Sequence, residues 1–127
     1  MQYFFDSCIA YRYAHTLNAL GIDAVALRDE YPEDIKDVPL FSALAGRDAV
    51  FVSQDKHQLT RQSEARELKK AVLTAIYFEP FWNKLQFWDQ ATWLVKHWRT
   101  IENFSEAVKR GTVASIKERG KIHFIQF

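Results

Sequence analysis

The sequence predicts a three-layer α/β fold with a mainly parallel central sheet, and three observations lead to this prediction. Short apolar segments typical of buried strands alternate along the chain with segments whose apolar residues recur at helical spacing. Their order, strand–helix–strand continued to a fourth strand, is that of right-handed crossover units. The 127 residues have the length of one domain and no linker divides them, so we expect a single domain over residues 1–127.

The chain opens with a predicted strand over residues 2–5, which is apolar and aromatic and ends at Asp6. A helix is predicted next, and Gly21 is expected to end it as the residue after the C-cap. The buried face of this helix has residues at spacings of three and four, namely Ala10, Tyr13, Ala14, Leu17 and Leu20.

The second strand is predicted at residues 24–27, and a polar loop follows over residues 28–36. A second helix is predicted to begin near Asp37, because Pro39 fits the first turn of a helix. Gly46 is expected to close this helix.

The third and fourth strands are predicted at residues 49–52 and 72–78. Both are continuously apolar, as expected for strands in the middle of a parallel sheet. The third strand leads into Asp55. Between the two strands, residues 63–71 are predicted to form a helix with Ser63 as its N-cap.

The last third of the chain carries a long predicted helix from Gln86 to Lys109. Its apolar stripe consists of Phe87, Ala91, Leu94, Trp98, Ile101 and Val108, with Trp88 and Val95 beside it. Trp93 lies off this stripe, which makes it a candidate for contact with a partner or for stacking on a base. Residues 118–121 are predicted to turn a hairpin, and the alternative is a terminal arm that docks elsewhere.

Composition excludes several classes of protein. A formal net charge of +1 argues against tight non-specific binding of nucleic acid through overall charge. Cys8 is the single cysteine, so no intrachain disulfide is expected, and its thiol is expected to be buried or half-buried. Neither a signal peptide nor an apolar membrane span is recognisable, so a cytoplasmic protein is expected.

Three carboxylates stand at element boundaries: Asp6 and Asp55 follow predicted strands, and Asp37 begins a helix. Each alone has a structural explanation, as an N-cap or as an Asx-turn. Ligands of open parallel sheets bind at the carboxyl ends of the strands, and the loop over residues 28–36 returns the chain to that edge. Together the three acids form a set of hard oxygen ligands suited to Mg²⁺ or Mn²⁺, which activate water for phosphodiester hydrolysis.

The segments FFDSCIAYRYAHTLNALGIDAVALRDEYPEDIKDVPLFSAL and AVFVSQDKHQLTRQSEARELKKAVLTAIYF contain these acids, a helix ending in Leu-Gly and a Ser-x-Asp strand end. In this order they resemble the PIN-domain superfamily, and in particular the small VapC-type toxins of prokaryotic toxin–antitoxin systems. The segment FWNKLQFWDQATWLVKHW resembles the aromatic C-terminal helix of this PIN-like branch. The resemblance therefore covers most of the chain.

The resemblance implies a metal-dependent endoribonuclease that holds Mg²⁺ or Mn²⁺ through its acids. It makes Asp6 the acid of the first strand, Asp37 the acid of the middle helix and Asp55 the acid of the Ser-x-Asp motif. Ser53 is the first residue of that motif, and Asp34 is the alternative for the middle acid. The family also implies an RNA substrate and a cognate antitoxin that masks the site, and it makes a homodimer plausible.

Related PIN-like proteins often carry a further acid shortly after the third, and this chain has His57 at that place. Its imidazole could orient water, and the alternative is an exposed loop histidine. Basic residues around the acids could hold RNA phosphates, namely Arg12, Lys56, Arg61, Arg66, Lys69 and Lys70. Glu64 and Glu67 are interleaved with them, so a solvated helix face is the alternative.

Two other functions are weighed against the nuclease. A catalytically degenerate PIN-like module would bind RNA or a protein partner without cleaving. A phosphoacceptor receiver domain has a similar length, but it needs a pair of acids after the first strand and a lysine after a later one. Here Ser7 follows Asp6, and the fourth strand leads into Glu79.

Overall fold

The computed structural model describes residues 1–127 and contains one six-stranded sheet between two layers of helices. The strand order is β2-β1-β3-β4-β5-β6, and all neighbouring strands are parallel except β5 and β6. The strands are β1 Gln2–Phe5, β2 Ala24–Ala26, β3 Ala49–Ser53, β4 Thr74–Phe78, β5 Val113–Ile116 and β6 Ile122–Phe124. The predicted three-layer α/β class with a mainly parallel sheet is confirmed.

The helices are α1 Tyr11–Ala19, α2 Leu27–Glu30, α3 Asp37–Leu44, α4 Gln62–Ala71, α5 Phe81–Lys84 and α6 Phe87–Ala107, with a 3₁₀ turn at Lys56–Leu59. One core lies between the sheet and α1 with α6, and a second core lies between the sheet and α3 with α4. None of these helices combines the length and the apolar composition needed to cross a bilayer.

Successive side chains of the central strands enter opposite cores. Tyr3 and Phe5 point towards α6, where their ring centroids lie 4.8 and 5.9 Å from that of Trp98. Phe4, between them in sequence, packs in the other core with Phe51, at 6.5 Å. Because both faces of the sheet are covered, these strands are apolar throughout rather than alternating, as the sequence indicated.

Three element boundaries differ from the sequence prediction. Part of the predicted polar loop is the short helix α2, whose Asp29 side chain accepts a hydrogen bond from the backbone N–H of Ala26. Helix α4 begins at Gln62, so Ser63 is not the N-cap, and Arg61 at that place provides no side-chain cap. Strand β4 begins at Thr74, because the two residues before it end α4 and turn the chain into the sheet.

The C-terminal segment completes the sheet with β5 and β6, which are the two arms of the predicted hairpin. Strand β5 pairs in parallel with β4, and β6 returns antiparallel to β5. The predicted hairpin is confirmed, and the backbone N–H of Lys117 donates to the carbonyl of Lys121 at 2.9 Å. Gly120 has a φ of +88°, and a Cβ there would lie 2.7 Å from His97 Nδ1, so glycine is required on both counts.

Trp93 is buried, which corrects the prediction that it faces a partner or a base. It is only 6 % exposed, and its ring packs against Phe78 and Phe81. Its indole N–H donates to the carbonyl of Glu118 at 2.7 Å. The C-terminal hairpin covers this side of α6. The apolar spacing within α6 could not reveal this cover, because the hairpin comes from a later part of the chain.

Val72 ends α4 in the left-handed conformation, with φ 51° and ψ 46°. A β-branched residue is strained in this conformation. Half of the Val72 side chain is exposed, so the burial of its methyl groups adds little stability to offset the strain. We expect Val72→Gly to raise the free energy of unfolding by about 0.5–1 kcal/mol, the strain relief outweighing the greater freedom of glycine in the unfolded chain. Urea denaturation measures this change. Val72→Ala keeps the Cβ and should gain clearly less, and equal gains would contradict the strain argument.

Candidate functional site

A row of polar side chains crosses the carboxyl ends of three neighbouring strands. Asp6 directly follows β1, and its backbone N–H donates to Val52 of β3 at 2.9 Å. Ser53 is the last residue of β3 and is paired in register with Tyr77 of β4. Since adjacent parallel strands end at the same edge, their register alone brings Asp6, Ser53 and Tyr77 side by side.

The carboxylate of Asp6 is held by three donors, although it is only 5 % exposed. Its Oδ2 accepts from Ser53 Oγ at 2.8 Å and from Gln58 Nε2 at 3.0 Å. Its Oδ1 accepts from the backbone N–H of Ser7 at 2.8 Å. These bonds fix the orientation of the acid and offset the desolvation of its charge.

Gln58 is a site residue that the sequence analysis missed. It is 1 % exposed, and its Oε1 accepts from the hydroxyl of Tyr77 at 3.0 Å while its Nε2 donates to Asp6. Burial and the neighbouring acids, Asp6 foremost, raise the pKa of Tyr77, so the phenol stays protonated as that donor. Gln58 lies in a single 3₁₀ turn, which is too short to carry a periodic signal in the sequence.

Asp37 begins α3 and lies close enough to Asp6 for the two charges to interact. Burial raises the pKa of Asp37, and the charge of Asp6 raises it further, while the amide of Gln58 opposes the rise. Glu64 and Asp55 add smaller contributions of the same sign as Asp6. Asp34, the alternative for the middle acid, is exposed in the preceding turn and takes part in no hydrogen bond or ion pair.

Asp55 and Glu64 are joined by one cation. Arg61 Nη1 lies 3.6 Å from Asp55 Oδ2 and 3.1 Å from Glu64 Oε2. The other oxygen of Asp55 accepts from the backbone N–H of His57 at 3.2 Å. The sequence analysis assigned Glu64 only to a solvated helix face. However, Glu64 is spaced at i, i+4, i+7 with the buried Leu68 and Ala71 of α4, and this spacing predicts a side chain that faces inward.

The acid cluster, defined as Asp6, Asp37, Asp55 and Glu64, therefore has an uneven balance of charge. Arg61 compensates Asp55 and Glu64, whereas Asp6 and Asp37 have no cationic partner and Asp6 is held by neutral donors alone. No three His, Cys, Asp or Glu side chains converge closely enough to hold a metal ion in this arrangement. The donor set nevertheless fits Mg²⁺ or Mn²⁺ in kind, because it consists of hard carboxylate oxygens with unbalanced negative charge.

Cys8 lies at the rim of this cluster and is exposed, which corrects the expectation of a buried or half-buried thiol. The turn after β1 carries it past the sheet edge, and its Sγ remains 3.3 Å from Ser53 Oγ and 3.7 Å from Asp6 Oδ2. Desolvation of the sulfur and the charge of Asp6 raise the pKa of the thiol to about 11. The thiol is therefore protonated at neutral pH and a poor nucleophile.

The remaining predicted site residues lie at the periphery. The imidazole of His57 is exposed and forms no hydrogen bond, so it does not take the place of a further acid in the cluster. Lys56 forms an ion pair with Glu79 at 3.0 Å. Arg12 lies over the ring of Phe87 at 4.7 Å, and Arg66 is exposed on α4 without an ion pair.

Glu79 follows β4 and completes the polar edge. Burial alone would raise its pKa, but hydrogen bonds from Ser115 and Lys56 outweigh burial and lower it. Glu79 is therefore an ionised partner of Lys56 at neutral pH rather than an acid available to the cluster.

Comparison with known proteins gives one match. A family model described as a PIN-like domain matches residues 1–80, which include every member of the acid cluster and the strands β1 to β4. No curated protein matches the chain, and neither does any solved structure.

Proposed function

Because this chain belongs to the PIN-like domain family, whose members are usually nucleases, we propose that it is a metal-dependent endoribonuclease. The observation that supports the proposal is that Asp6, Asp37 and Asp55, which come from separate elements, lie near enough to one another for the charges of Asp6 and Asp55 to act on Asp37. The raised pKa of Asp37 reflects this gathering of like charges beside burial. We assign these three acids to a Mg²⁺ or Mn²⁺ site.

The chain's own residues would prepare this site in distinct ways. Ser53 and Gln58 hold Asp6 in one orientation, so its carboxylate needs little rearrangement to act. Arg61 forms an ion pair with Asp55, and movement of the Arg61 guanidinium towards a phosphate would free the Asp55 carboxylate. A divalent cation bound there supplies a water of lowered pKa and stabilises the charge that develops on the phosphate in phosphodiester hydrolysis.

The resemblance to VapC-type proteins extends the proposal to a biological role. We propose that the chain is the toxin of a toxin–antitoxin pair in the cytoplasm, that a cognate antitoxin masks the acid edge, and that a homodimer can form. A small reading frame adjacent to the gene would support this role. Co-expression with the product of that frame, followed by loss of cleavage, would test it.

The metal assignment is tested by comparing Asp37→Asn with Asp34→Asn. With Mn²⁺ and a structured RNA, we expect Asp37→Asn to lose cleavage by about two orders of magnitude, and Asp34→Asn to retain the wild-type rate. EDTA should abolish cleavage by the wild type. The reverse result for the two variants would make Asp34 the middle acid, and equal rates in wild type and both variants would refute the assignment.

Thermal unfolding of the same variants gives a measurement that is independent of catalysis. The folded state raises the pKa of Asp37 above its value in the unfolded chain. The stability of the fold therefore falls as the pH rises from the unfolded pKa to the folded pKa of this carboxyl. Without metal at pH 7, Asp37→Asn should therefore melt roughly 1–3 °C higher than wild type, a small effect because solvent screens the partly exposed carboxyl. The difference should vanish below the ordinary carboxyl pKa, and Mn²⁺ should stabilise the wild type more than the variant.

A degenerate PIN-like module that binds without cleaving is the second candidate. The ion pairs of Arg61 with Asp55 and Glu64 favour it, since they occupy one of the three assigned acids. Binding of RNA with the same affinity in EDTA and Mn²⁺, and no cleavage under either condition, is the result expected for this candidate.

A further inference from the structure

At the edge of the sheet that carries the acid cluster, the first turns of α1 and α6 and the helix α2 form a surface on which arginines and aromatic rings are interleaved. We call it the arginine–aromatic surface and define it by Tyr11, Arg12, Arg28, Phe87 and Trp88. Arg28 lies over the ring of Tyr11 at 4.1 Å, and Arg12 lies over the ring of Phe87 at 4.7 Å. Phe87 in turn contacts Trp88, with ring centroids 5.2 Å apart.

The topology places this surface on the same edge of the sheet as the acids. Tyr11 and Arg12 open α1, which follows Asp6 and β1, and Arg28 lies in α2, which follows β2. Phe87 and Trp88 open α6, which the chain enters from the end of β4. A cavity of about 340 Å³, lined by Ser7, Tyr11 and Arg28 among others, connects the turn after Asp6 with the first ring.

The exposed rings of this surface have no packing role that accounts for all of them. Trp88 is 77 % exposed, whereas the other three tryptophans, at positions 82, 93 and 98, are 2, 6 and 4 % exposed. Tyr11 and Phe87 are 44 and 40 % exposed. Exposed apolar side chains that occur singly need no explanation, but these rings are grouped with two guanidinium groups, and such grouping is typical of an interaction surface.

The charge of this surface suits a polyanion. Arg12 forms no ion pair with any carboxylate, and Arg28 has one exposed partner, Glu33, at 3.4 Å. Each guanidinium is held over a ring, which orients it without neutralising it. The guanidinium of Arg12 is therefore free to bind a phosphate, and that of Arg28 can do so by exchanging its exposed partner Glu33 for the phosphate. Aromatic faces bind bases whatever their sequence.

We infer that the arginine–aromatic surface binds single-stranded RNA and leads it to the acid cluster, with a base stacked on Trp88 and phosphates held by Arg12 and Arg28. The inference rests on the proposed function for the identity of the nucleic acid. It adds the path of the strand and the residues that hold it, and stacking on Trp88 needs an unpaired base, since only such a base offers its face to a ring.

Trp88 provides its own reporter, because it is the single exposed tryptophan. We would titrate the wild type in EDTA with a single-stranded RNA of about twelve nucleotides and record tryptophan emission and anisotropy of the labelled RNA. Emission should be quenched, and Trp88→Ala should abolish the quenching and weaken binding by about tenfold. Arg12→Ala should weaken binding and reduce the slope of log affinity against log salt by about one.

Matched controls lie outside the surface. Phe124, 70 % exposed on the strand at the far edge of the sheet, should tolerate Phe124→Ala without loss of RNA affinity. Arg99→Ala removes an exposed guanidinium from the body of α6 and should also bind normally. A duplex of the same sequence should bind more weakly than the single strand.

Two results would overturn the inference. One is unchanged affinity and quenching in Trp88→Ala and Arg12→Ala, even if the wild type cleaves RNA, which would leave the proposed function standing. The other is a concentration-dependent dimer in sedimentation that Trp88→Ala disrupts while RNA affinity stays normal, which would assign the surface to a second copy of this chain. Normal RNA binding through this surface without cleavage in Mn²⁺ would instead refute the proposed catalysis alone.

Discussion

Asp6→Asn is expected to reduce RNA cleavage by two orders of magnitude or more, the largest effect on activity of any single substitution in this protein. Asp6 is the one acid of the cluster that is both buried and held by three donors, so no water or neighbouring side chain can replace its charge. The amide would keep one oxygen and lose the negative charge on which cation binding depends.

The fold should survive this change. Asparagine can keep its oxygen towards the N–H of Ser7, while Ser53 rotates its hydroxyl and Gln58 turns its amide to accept from the new NH₂ group. We therefore expect a loss of stability of about 1 kcal/mol or less. Loss of the Asp6 charge should also lower the pKa of Asp37, which a carboxyl titration by NMR would detect.

Asp48→Asn is the matched control for Asp6→Asn. Asp48 precedes β3 at the opposite edge of the sheet, and its side chain is 78 % exposed. The control should cleave at the wild-type rate. If Asp6→Asn also cleaves at that rate, then the activity belongs to a contaminant or to another site, and the metal-nuclease proposal is wrong.

Gln58→Leu is expected to produce the largest loss of stability among the site variants, about 1–3 kcal/mol in urea denaturation. The substitution leaves the buried hydroxyl of Tyr77 without an acceptor, and it removes one of the donors to Oδ2 of Asp6, which keeps its hydrogen bond from Ser53. Gln58→Glu should behave differently, because one carboxylate oxygen can still accept from Tyr77 while the other brings a further negative charge to Asp6 and Asp37.

That added charge makes Gln58→Glu a test of where a cation is attracted. Without metal, the variant should melt below the wild type at neutral pH and recover as the pH falls and carboxylates become protonated. With Mn²⁺, its melting temperature should rise by more than that of the wild type, and its affinity for Mn²⁺ in calorimetry should increase about tenfold. Gln86→Glu, an exposed amide at the start of α6, is the control. If both variants respond equally to Mn²⁺, the amide of Gln58 does not stand beside a cation site.

Much of the fold could be predicted from the sequence because buried apolar residues recur at the spacing of a helix, or form continuous segments where a strand is covered on both faces. Strands β1 to β4 are apolar throughout since helices cover both faces, and α1, α3 and α6 carry stripes at helical spacing. Asp6 and Asp55 could be placed at one edge because parallel strands end together. The bounds of β5 and its parallel pairing with β4 were not predicted, because its four residues follow a long helix without a distinguishing pattern and β4 is more than thirty residues earlier.

The candidate site was predictable only in its outline. Glu64 could have been found, since it shares the buried stripe of α4 with Leu68 and Ala71. Gln58 could not, because its two partners, Asp6 and Tyr77, are 52 residues before it and 19 after it in the chain. The sequence analysis placed Trp88 beside the buried stripe of α6 and Trp93 off it, and both predictions were wrong. Trp88 is exposed, and Trp93 is buried because the C-terminal hairpin covers its side of α6.

The sequence by itself determined the order of strands and helices, the family and the presence of acids at one edge of a parallel sheet. Only the tertiary structure decided which groups those acids meet: the amide of Gln58 beside Asp6, and the guanidinium of Arg61 between Asp55 and Glu64. The physical reason is that periodicity records which side of an element is buried, whereas hydrogen bonds and ion pairs join residues that packing brings together from distant parts of the chain.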